Sequence, residues 1–373
     1  MRDPEQYKEH RRNDPLSDQQ RREHPYDFVS LPAQAAHGIA VGHDRYPADL
    51  LTGGMTFVYE ILTPLHVGSG VFETAGQCGL AGDDQPVRGI TRRLGQPVLP
   101  GSSWKGAVRA RFEAITRSRL GVATRAPKVD SVKLPEALWP DKTRRAKVNI
   151  ELRDPRLNLL RPVDVYTPLT DFSPADALFG AMGYRGRIHP SEGVIEGPRM
   201  ERPLSVPPLE SPAAHRLAKP GAARQVRDSI EISEVEGRKF YYDGPLLQGR
   251  SRPGDAGTVW EAIDAVPATA RITIYVHLES VTEAEIGALL VSAGHGENVG
   301  IMRFGGYKPA GLGKASLIKV VGELRRGCAL RRWQRSEPEA FDPAQAVETA
   351  RLAGLIDDSA LAELHAITTR MRP

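Results

Sequence analysis

Two stretches of this chain combine residue types suited to holding a phosphate. In residues 97–111 (PVLPGSSWKGAVRAR) an extended segment stops at Pro100-Gly101 and opens straight into a helix. Proline disfavours helix before it and glycine permits the sharp turn. Ser102 or Ser103 is the expected N-cap. The first turn then offers unpaired backbone N–H groups, the positive end of the helix dipole, two hydroxyls and the ammonium of Lys105. Arg109 lies one turn further along the same face. The second stretch, residues 305–314 (GGYKPAGLGK), is rich in glycine and holds two lysines. Its glycines allow a ligand backbone to come close, and Lys308 and Lys314 can neutralise phosphates. Neither stretch is a nucleotide triphosphatase loop, because the second precedes a strand and its Gly313-Lys314 is followed by Ala315. A capped amphipathic helix with no ligand is the alternative reading of the first.

The charge distribution agrees with a polyanionic partner. The net charge is only +4 over 373 residues. Yet from Lys105 to Lys147 the chain carries Lys105, Arg109, Arg111, Arg117, Arg119, Arg125, Lys128, Lys133, Lys142, Arg144, Arg145 and Lys147, with few acids between them. With 26% charged and 40% hydrophobic residues the chain is of globular composition. The two cysteines, Cys78 and Cys328, form no disulfide framework, which fits a reducing cytoplasm. No apolar run is long enough for a membrane span. The histidines and cysteines lack zinc-ligand spacing, and no Gly-x-Ser-x-Gly elbow occurs.

The elements that must position these stretches follow from hydrophobic periodicity. Met55–Thr63 reads as a central strand, with Phe57, Tyr59 and Ile61 on one face and Val58 and Leu62 on the other. It runs into His66-Val67-Gly68-Ser69-Gly70, where His66 reads as structural rather than catalytic. Residues 71–96 read as a long loop. The helix is expected over residues 102–120, with Trp104, Val108, Phe112 and Ile115 inward. Residues 121–165 and 198–228 read as insertions, with a short helical turn over 134–139. A strand is expected over 187–195 and strand material over 230–243. There Arg238-Lys239-Phe240-Tyr241-Tyr242 interleaves cations and aromatics, either as a base-stacking surface or as a half-buried strand. Arg271–Leu278 alternates cleanly. Thr282-x-x-Glu285 is a capping box opening a helix. Strands over 299–304 and 315–321 flank the glycine-rich loop. Asp342-Pro343 and Asp358-Ser359 each start a terminal helix. The implied class is α+β, a ferredoxin-like or RRM-like core over 55–322. An N-terminal arm with an anchor strand would occupy 1–54, and a helical hairpin 323–373.

Four segments in order, Pro64–Gly70 (PLHVGSG), Pro100–Arg109 (PGSSWKGAVR), Leu178-Phe179-Gly180 and the late glycine-rich loop, resemble the RAMP superfamily of CRISPR-associated proteins, most closely the backbone subunits of type III effectors. The resemblance implies a subunit that stacks with its neighbours along a CRISPR guide RNA and receives a target RNA. It also implies that His66, Gly68, Ser69, Ser102, Ser103, Lys105, Arg109, Arg111, Gly305, Gly306, Tyr307, Lys308, Gly311, Gly313 and Lys314 line the RNA. In such backbone subunits a loop aspartate cuts the target with a divalent metal, usually Mg²⁺. Here that residue is Asp84, in Asp84-Gln85-Pro86-Val87, or its neighbour Asp83. Cleavage through the RNA's own 2′-OH needs a base at that hydroxyl or a metal at the phosphate, and an aspartate serves either. Asp-Asp before Gln-Pro is also ordinary turn chemistry. A non-catalytic scaffold or capping subunit, a guide-processing endoribonuclease and a phosphate-binding protein unrelated to RNA are the alternatives.

Overall fold

The computed structural model describes residues 25–82, 84–119, 132–133, 149–152, 168–209, 223–226, 229–232, 236–246, 261–332 and 337–371. The charged stretch 1–24, Asp83, the expected turn at 134–139 and Trp333 lie outside them. Among the described residues no helix is long and apolar enough to cross a membrane.

The strands in chain order are β1 (Tyr26–Ser30), β2 (Leu51–Ile61), β3 (Gly68–Thr74), β4 (Pro86–Ile90), β5 (Arg92–Arg93), β6 (Gln96–Leu99), β7 (Val132–Lys133), β8 (Asn149–Leu152), β9 (Ile188–Pro190), β10 (Gly193–Glu196), β11 (Leu204–Val206), β12 (Ala223–Val226), β13 (Ser229–Ile232), β14 (Gly237–Tyr241), β15 (Glu261–Ile263), β16 (Arg271–Val281), β17 (Met302–Arg303) and β18 (Lys314–Arg326). The helices are α1 (Gly101–Ile115), α2 (Pro174–Phe179), α3 (Glu283–Ser292), α4 (Gly327–Arg331), α5 (Pro343–Leu352) and α6 (Asp358–Thr369).

The central sheet runs β17-β18-β2-β16-β10-β6-β5, with β9 also paired to β16. β2, α1 and β9–β10 form one split βαβ unit around β16; β16, α3 and β18 form the other around β2. That interleaving is the ferredoxin-like fold the sequence implies. Alternation along β2 and β16 sends Met55, Phe57, Tyr59, Ile61, Ile272, Ile274, Val276 and Leu278 under the helices, where each is at most 2% exposed. α1 covers them with Trp104, Val108, Phe112 and Ile115, all fully buried, each contributing roughly 1.5–3 kcal/mol. Trp104 Nε1 donates to Tyr59 Oη (3.1 Å), which donates to Ala293 O (3.1 Å), so these polar atoms are satisfied inside the core.

The other face of the sheet is open. Leu62 is 45% and Tyr275 is 49% exposed. β2 is therefore central by strand order, but only one of its faces is sealed. Residues 71–96, read as a loop, carry strand at both ends: the end of β3, then β4, β5 and the start of β6. β3 and β4 join β15 and β11 in a second sheet ordered β11-β15-β4-β3. Its strands are short, and β15 reaches β4 (Ile263 beside Arg88) and β11 (Leu204 beside Ile263) across long sequence separations, which local pattern does not show. The strand expected over 187–195 is broken at Ser191-Glu192 into β9 and β10, and 230–243 divides into β13 and β14. β1 pairs with β14, Tyr26 facing Tyr241.

α3 begins at the expected capping box, Glu285 N donating to Thr282 Oγ1 (3.1 Å) and Thr282 N to Glu285 Oε2 (2.9 Å). The terminal helices α5 and α6 are capped by Asp342 and Asp357 and pack into the same core through Ala346, Ala350, Leu361, Leu364 and Ile367. α3 meets α5 at Gly287, where an added Cβ would stand 1.9 Å from Ala346 O. Helix propensity alone would favour alanine there by about 1 kcal/mol, whereas a backbone overlap of this size costs about 1–3 kcal/mol or more. Gly287→Ala is expected to lower stability by about 2 kcal/mol net, read as a lower urea midpoint at unchanged slope.

Candidate nucleic-acid interface

The tertiary structure brings the end of β2 and the glycine-rich loop together. Gly306 N donates to His66 O (2.8 Å), Gly313 N to Pro64 O (2.9 Å), Thr63 Oγ1 to Gly311 O (2.9 Å) and Lys314 N back to Thr63 Oγ1 (3.0 Å). Gly305 (φ +71°) and Gly313 (φ +77°) are required by this zipper. An added Cβ would lie 2.2 Å from His66 O at the first and 2.0 Å from Phe304 O at the second. These two glycines admit the protein's own backbone, a different use from the close approach of a ligand expected from sequence. Gly311 likewise backs onto Pro245 O.

His66 is buried at 4% exposure, and its Nδ1 donates to Asp264 O (2.7 Å). Burial holds its imidazole below the ordinary histidine range, against the opposing pull of Asp264. The sequence shows no partner for it; the partner is a carbonyl far along the chain. Tyr307, in left-handed backbone (φ +51°), sets its ring edge-on to His66 at 5.4 Å and donates its hydroxyl to Glu261. Arg88 clasps the same carboxylate through Nε (3.1 Å) and Nη2 (2.9 Å). Burial opposes ionisation of Glu261, but the hydrogen bonds from Arg88 and Tyr307 outweigh it and hold its carboxyl below the usual range. Arg92 pairs with Asp264. The four residues Arg88, Arg92, Glu261 and Asp264 fasten the second sheet under the loop. Sequence reasoning missed them, because each ion pair joins residues more than 170 positions apart.

The cations around the loop are unevenly matched. Asp243 takes Lys314 and stands 3.8 Å from Arg303. Lys308 is half-buried, and among the described residues no carboxylate pairs with it. Burial, then Arg303, then Lys239 all push its ammonium below the ordinary lysine range. Lys239 lies over the rings of Tyr26 (4.7 Å) and Tyr241 (5.1 Å), so β1 and β14 present cation and aromatics beside Lys308. Arg303 and Lys314 thus share Asp243, while Lys308 and Lys239 stand beside Arg303 and each other without a carboxylate of their own among the described residues. The Arg238–Tyr242 stretch is the half-buried strand of its two readings, with Lys239 lying over the Tyr26 and Tyr241 rings.

At the other phosphate-like stretch, helix α1 begins one residue earlier than expected. Pro100 occupies the N-cap and no side chain caps it, so neither Ser102 nor Ser103 has the expected role. The reason is packing: Gly101 sits where a Cβ would lie 2.4 Å from Pro190 O and 2.6 Å from Ser191 O, and only glycine fits the first helical position. Ser102 is exposed and Ser103 half-buried in the first turn. Lys105 Nζ donates to Ile188 O (2.9 Å) on the free edge of β9.

Arg109 and Arg111 do not face a ligand in this arrangement. Arg109 is held by Glu113 (2.6 Å), Gly180 O (2.8 Å) and Asp176 (3.4 Å). Arg111 is 3% exposed and donates to the carbonyls of Ser292 (2.9 Å), Ile301 (3.3 Å) and Val299, with burial pushing its guanidinium down to about 10. Both point inward because carbonyls at the ends of α2 and α3 lie there unpaired and a guanidinium satisfies several at once. Charge alone, without the neighbouring elements, does not reveal this.

Gly68 and Ser69 open the exposed strand β3, with Ser69 Oγ donating to Gly89 O (3.2 Å). Asp84 lies exposed in the turn before β4. Among the described residues no group of three or more His, Cys, Asp or Glu is placed to hold a metal ion. Asp84 offers a single carboxylate, which fits Mg²⁺ only in the mode where substrate phosphates and water complete the octahedron.

A family model described as RAMPs, the RAMP superfamily, matches residues 58–250, just over half of the chain. No curated protein matches it.

Proposed function

The chain belongs to the RAMP superfamily, and from that membership we propose that it is a guide-RNA-binding subunit of a type III CRISPR effector complex that cuts a bound target RNA at Asp84. Membership carries a CRISPR-associated, RNA-binding role in general. The finer reading rests on one observation above the others: the half-buried Lys308, without a carboxylate partner among the described residues, facing Arg303 and Lys239. A cation desolvated beside two others is costly unless an anion completes the cluster. An RNA phosphate is such an anion, and the Tyr26–Tyr241 rings beside it suit a stacked base. Ser102, Ser103 and Lys105 at the start of α1, and Lys314 beside Asp243, would supply the further phosphate contacts. Arg109 and Arg111 hold the helix that presents it.

Asp84, exposed ahead of β4, would hold the Mg²⁺. The ion would polarise the phosphoryl oxygen and lower the barrier to in-line attack. The residue's own contribution is its position. The turn is tied by Ala75 N to Gln85 O (2.9 Å) and Gln85 N to Gly82 O (2.8 Å), so the carboxylate stands on a short, closed connection.

The test is made on the complex expressed with its genomic neighbours and repeat array. Repeat-derived RNA of discrete length is expected to copurify. Asp84→Ala is expected to slow target cleavage by at least about 100-fold while the guide RNA stays bound. Cleavage unchanged in Asp84→Ala would make the chain a binding scaffold. Protein that assembles free of nucleic acid would remove the guide-binding role.

A further inference from the structure

Lys314 and Arg303, two of the cations beside the glycine-rich loop, already hold an anion of the protein's own. Lys314 Nζ contacts Asp243 Oδ1, and Arg303 Nη2 stands 3.8 Å from the same oxygen. Neither contact has the geometry of a hydrogen bond, and Arg303 Nε is buried without an acceptor among the described residues. The rest of the arrangement is fixed. Arg303 donates from Nη2 to Tyr242 O (2.6 Å) and from Nη1 to Leu312 O (3.3 Å). Lys314 N donates to Thr63 Oγ1 (3.0 Å). Asp243 follows β14, and its main chain forms a bridge with Met371. What is free to exchange is the carboxylate. Its side chain is 20% exposed, against 14% for Lys314 and 6% for Arg303. Lys308 adjoins the group through Arg303 and has no carboxylate of its own among the described residues.

We propose that Asp243 is an internal phosphate surrogate: it occupies Arg303 and Lys314 in the free protein and gives them up to a phosphodiester of single-stranded RNA. A carboxylate and a phosphodiester each spread one negative charge over two terminal oxygens, so the same cations serve both. A phosphate seated against Lys308 and Arg303 stands beside Asp243, and two anions sharing one site repel. The carboxylate therefore turns out to solvent as the phosphate enters, and no covalent bond changes. The exchange sets a threshold. A lone anion must displace an aspartate that the chain holds permanently in place. A strand adds the contacts of its neighbouring phosphates and of a base beside Tyr26 and Tyr241. Asp243 thus makes the site selective for a continuous strand over free phosphate or a mononucleotide.

This exchange rests on the RNA-binding reading, and the experiment separates the two. Binding of a fluorescent oligouridylate to the full-length protein is followed by anisotropy over a range of salt concentrations. Asp243→Asn is expected to bind about 10-fold tighter, because no ion pair has to be given up. Its slope of log K against log salt is expected to steepen by about 0.7, one further released counterion. Inorganic phosphate is expected to compete with the RNA in this variant and not in the wild type. A second measurement needs no variant to fold: carbodiimide-driven coupling of glycine ethyl ester to Asp243 in the wild-type protein is expected to rise several-fold when RNA is bound. Affinity that falls or stays the same in Asp243→Asn, or labelling of Asp243 that does not rise with RNA, makes Asp243 a structural counter-ion. Either result overturns the exchange and leaves the RNA-binding reading standing. Wild-type protein that binds no RNA overturns both.

Discussion

Replacing Lys308 and Lys239 by alanine together is expected to weaken binding of single-stranded RNA by about 100-fold at physiological salt, since a hydrogen bond between charged partners is worth about 1.5–3 kcal/mol. The slope of log K against log salt should become shallower by about 1.4, two released counterions at about 0.7 each. The same substitution bears on stability with the opposite sign. Lys308 is disfavoured in its charged form by burial and by Arg303 and Lys239. Its folded-state pKa therefore lies below the unfolded one. The unfolded chain binds more protons in the window between the two, and stability rises with pH there. Removing the ammonium removes that penalty. Lys308→Ala should leave the melting temperature at neutral pH unchanged or raised. A variant that loses RNA and gains or keeps stability identifies a cluster held for a ligand. One that loses both identifies Lys308 as a part of the fold, and the anion site is then elsewhere. Lys308→Arg, which keeps the charge, should retain most of the affinity.

The largest loss of stability is expected from Arg187→Ala. Arg187 is fully buried. It donates to Ala177 O (2.9 Å), Ser280 O (2.6 Å) and Ile39 O (2.9 Å), and forks onto both oxygens of Glu285, one of them at 3.1 Å. Glu285 is also the N3 member of the capping box that starts α3. The guanidinium thus ties α2, the end of β16, the segment after β1 and the start of α3 to one point. Alanine would leave a buried carboxylate and three carbonyls without their donor. Breaking a buried pair from one side costs about 3–5 kcal/mol, a fall in melting temperature of about 10 °C. The double variant Arg187→Met with Glu285→Gln should recover a large part, because it removes the uncompensated charge while the capping amide remains. A double variant no better than Arg187→Ala would place the loss in the carbonyls.

The distance between these two arginine and lysine cases shows how far local pattern reaches. Alternation in Arg271–Val281 and the 3.6-residue period of Trp104, Val108, Phe112 and Ile115 determine a strand and a helix that bury one side each, because those periods are properties of the backbone itself. The capping box at Thr282 and the aspartates before α5 and α6 set helix starts for the same reason: a cap satisfies its own turn. Fold class and the order of the four motif-like segments were legible on that basis. Where each charge points was not. Lys105, Arg109 and Arg111 stand on one helix within two turns, yet one reaches a strand edge, one is held by two acids and one is buried among carbonyls. The difference lies in α2, α3 and β9, which arrive from elsewhere in the chain. The same holds for the short strands of the second sheet, for the glycines that admit His66 and Phe304 rather than a ligand, and for Asp243 and Lys314, which only the fold makes neighbours. Sequence by itself determined the periodic elements, the caps and the surplus of phosphate-binding residue types. Tertiary structure decided which of those residues remain facing outward, because a buried charge must find its partners and the partners of this chain are supplied across long sequence separations.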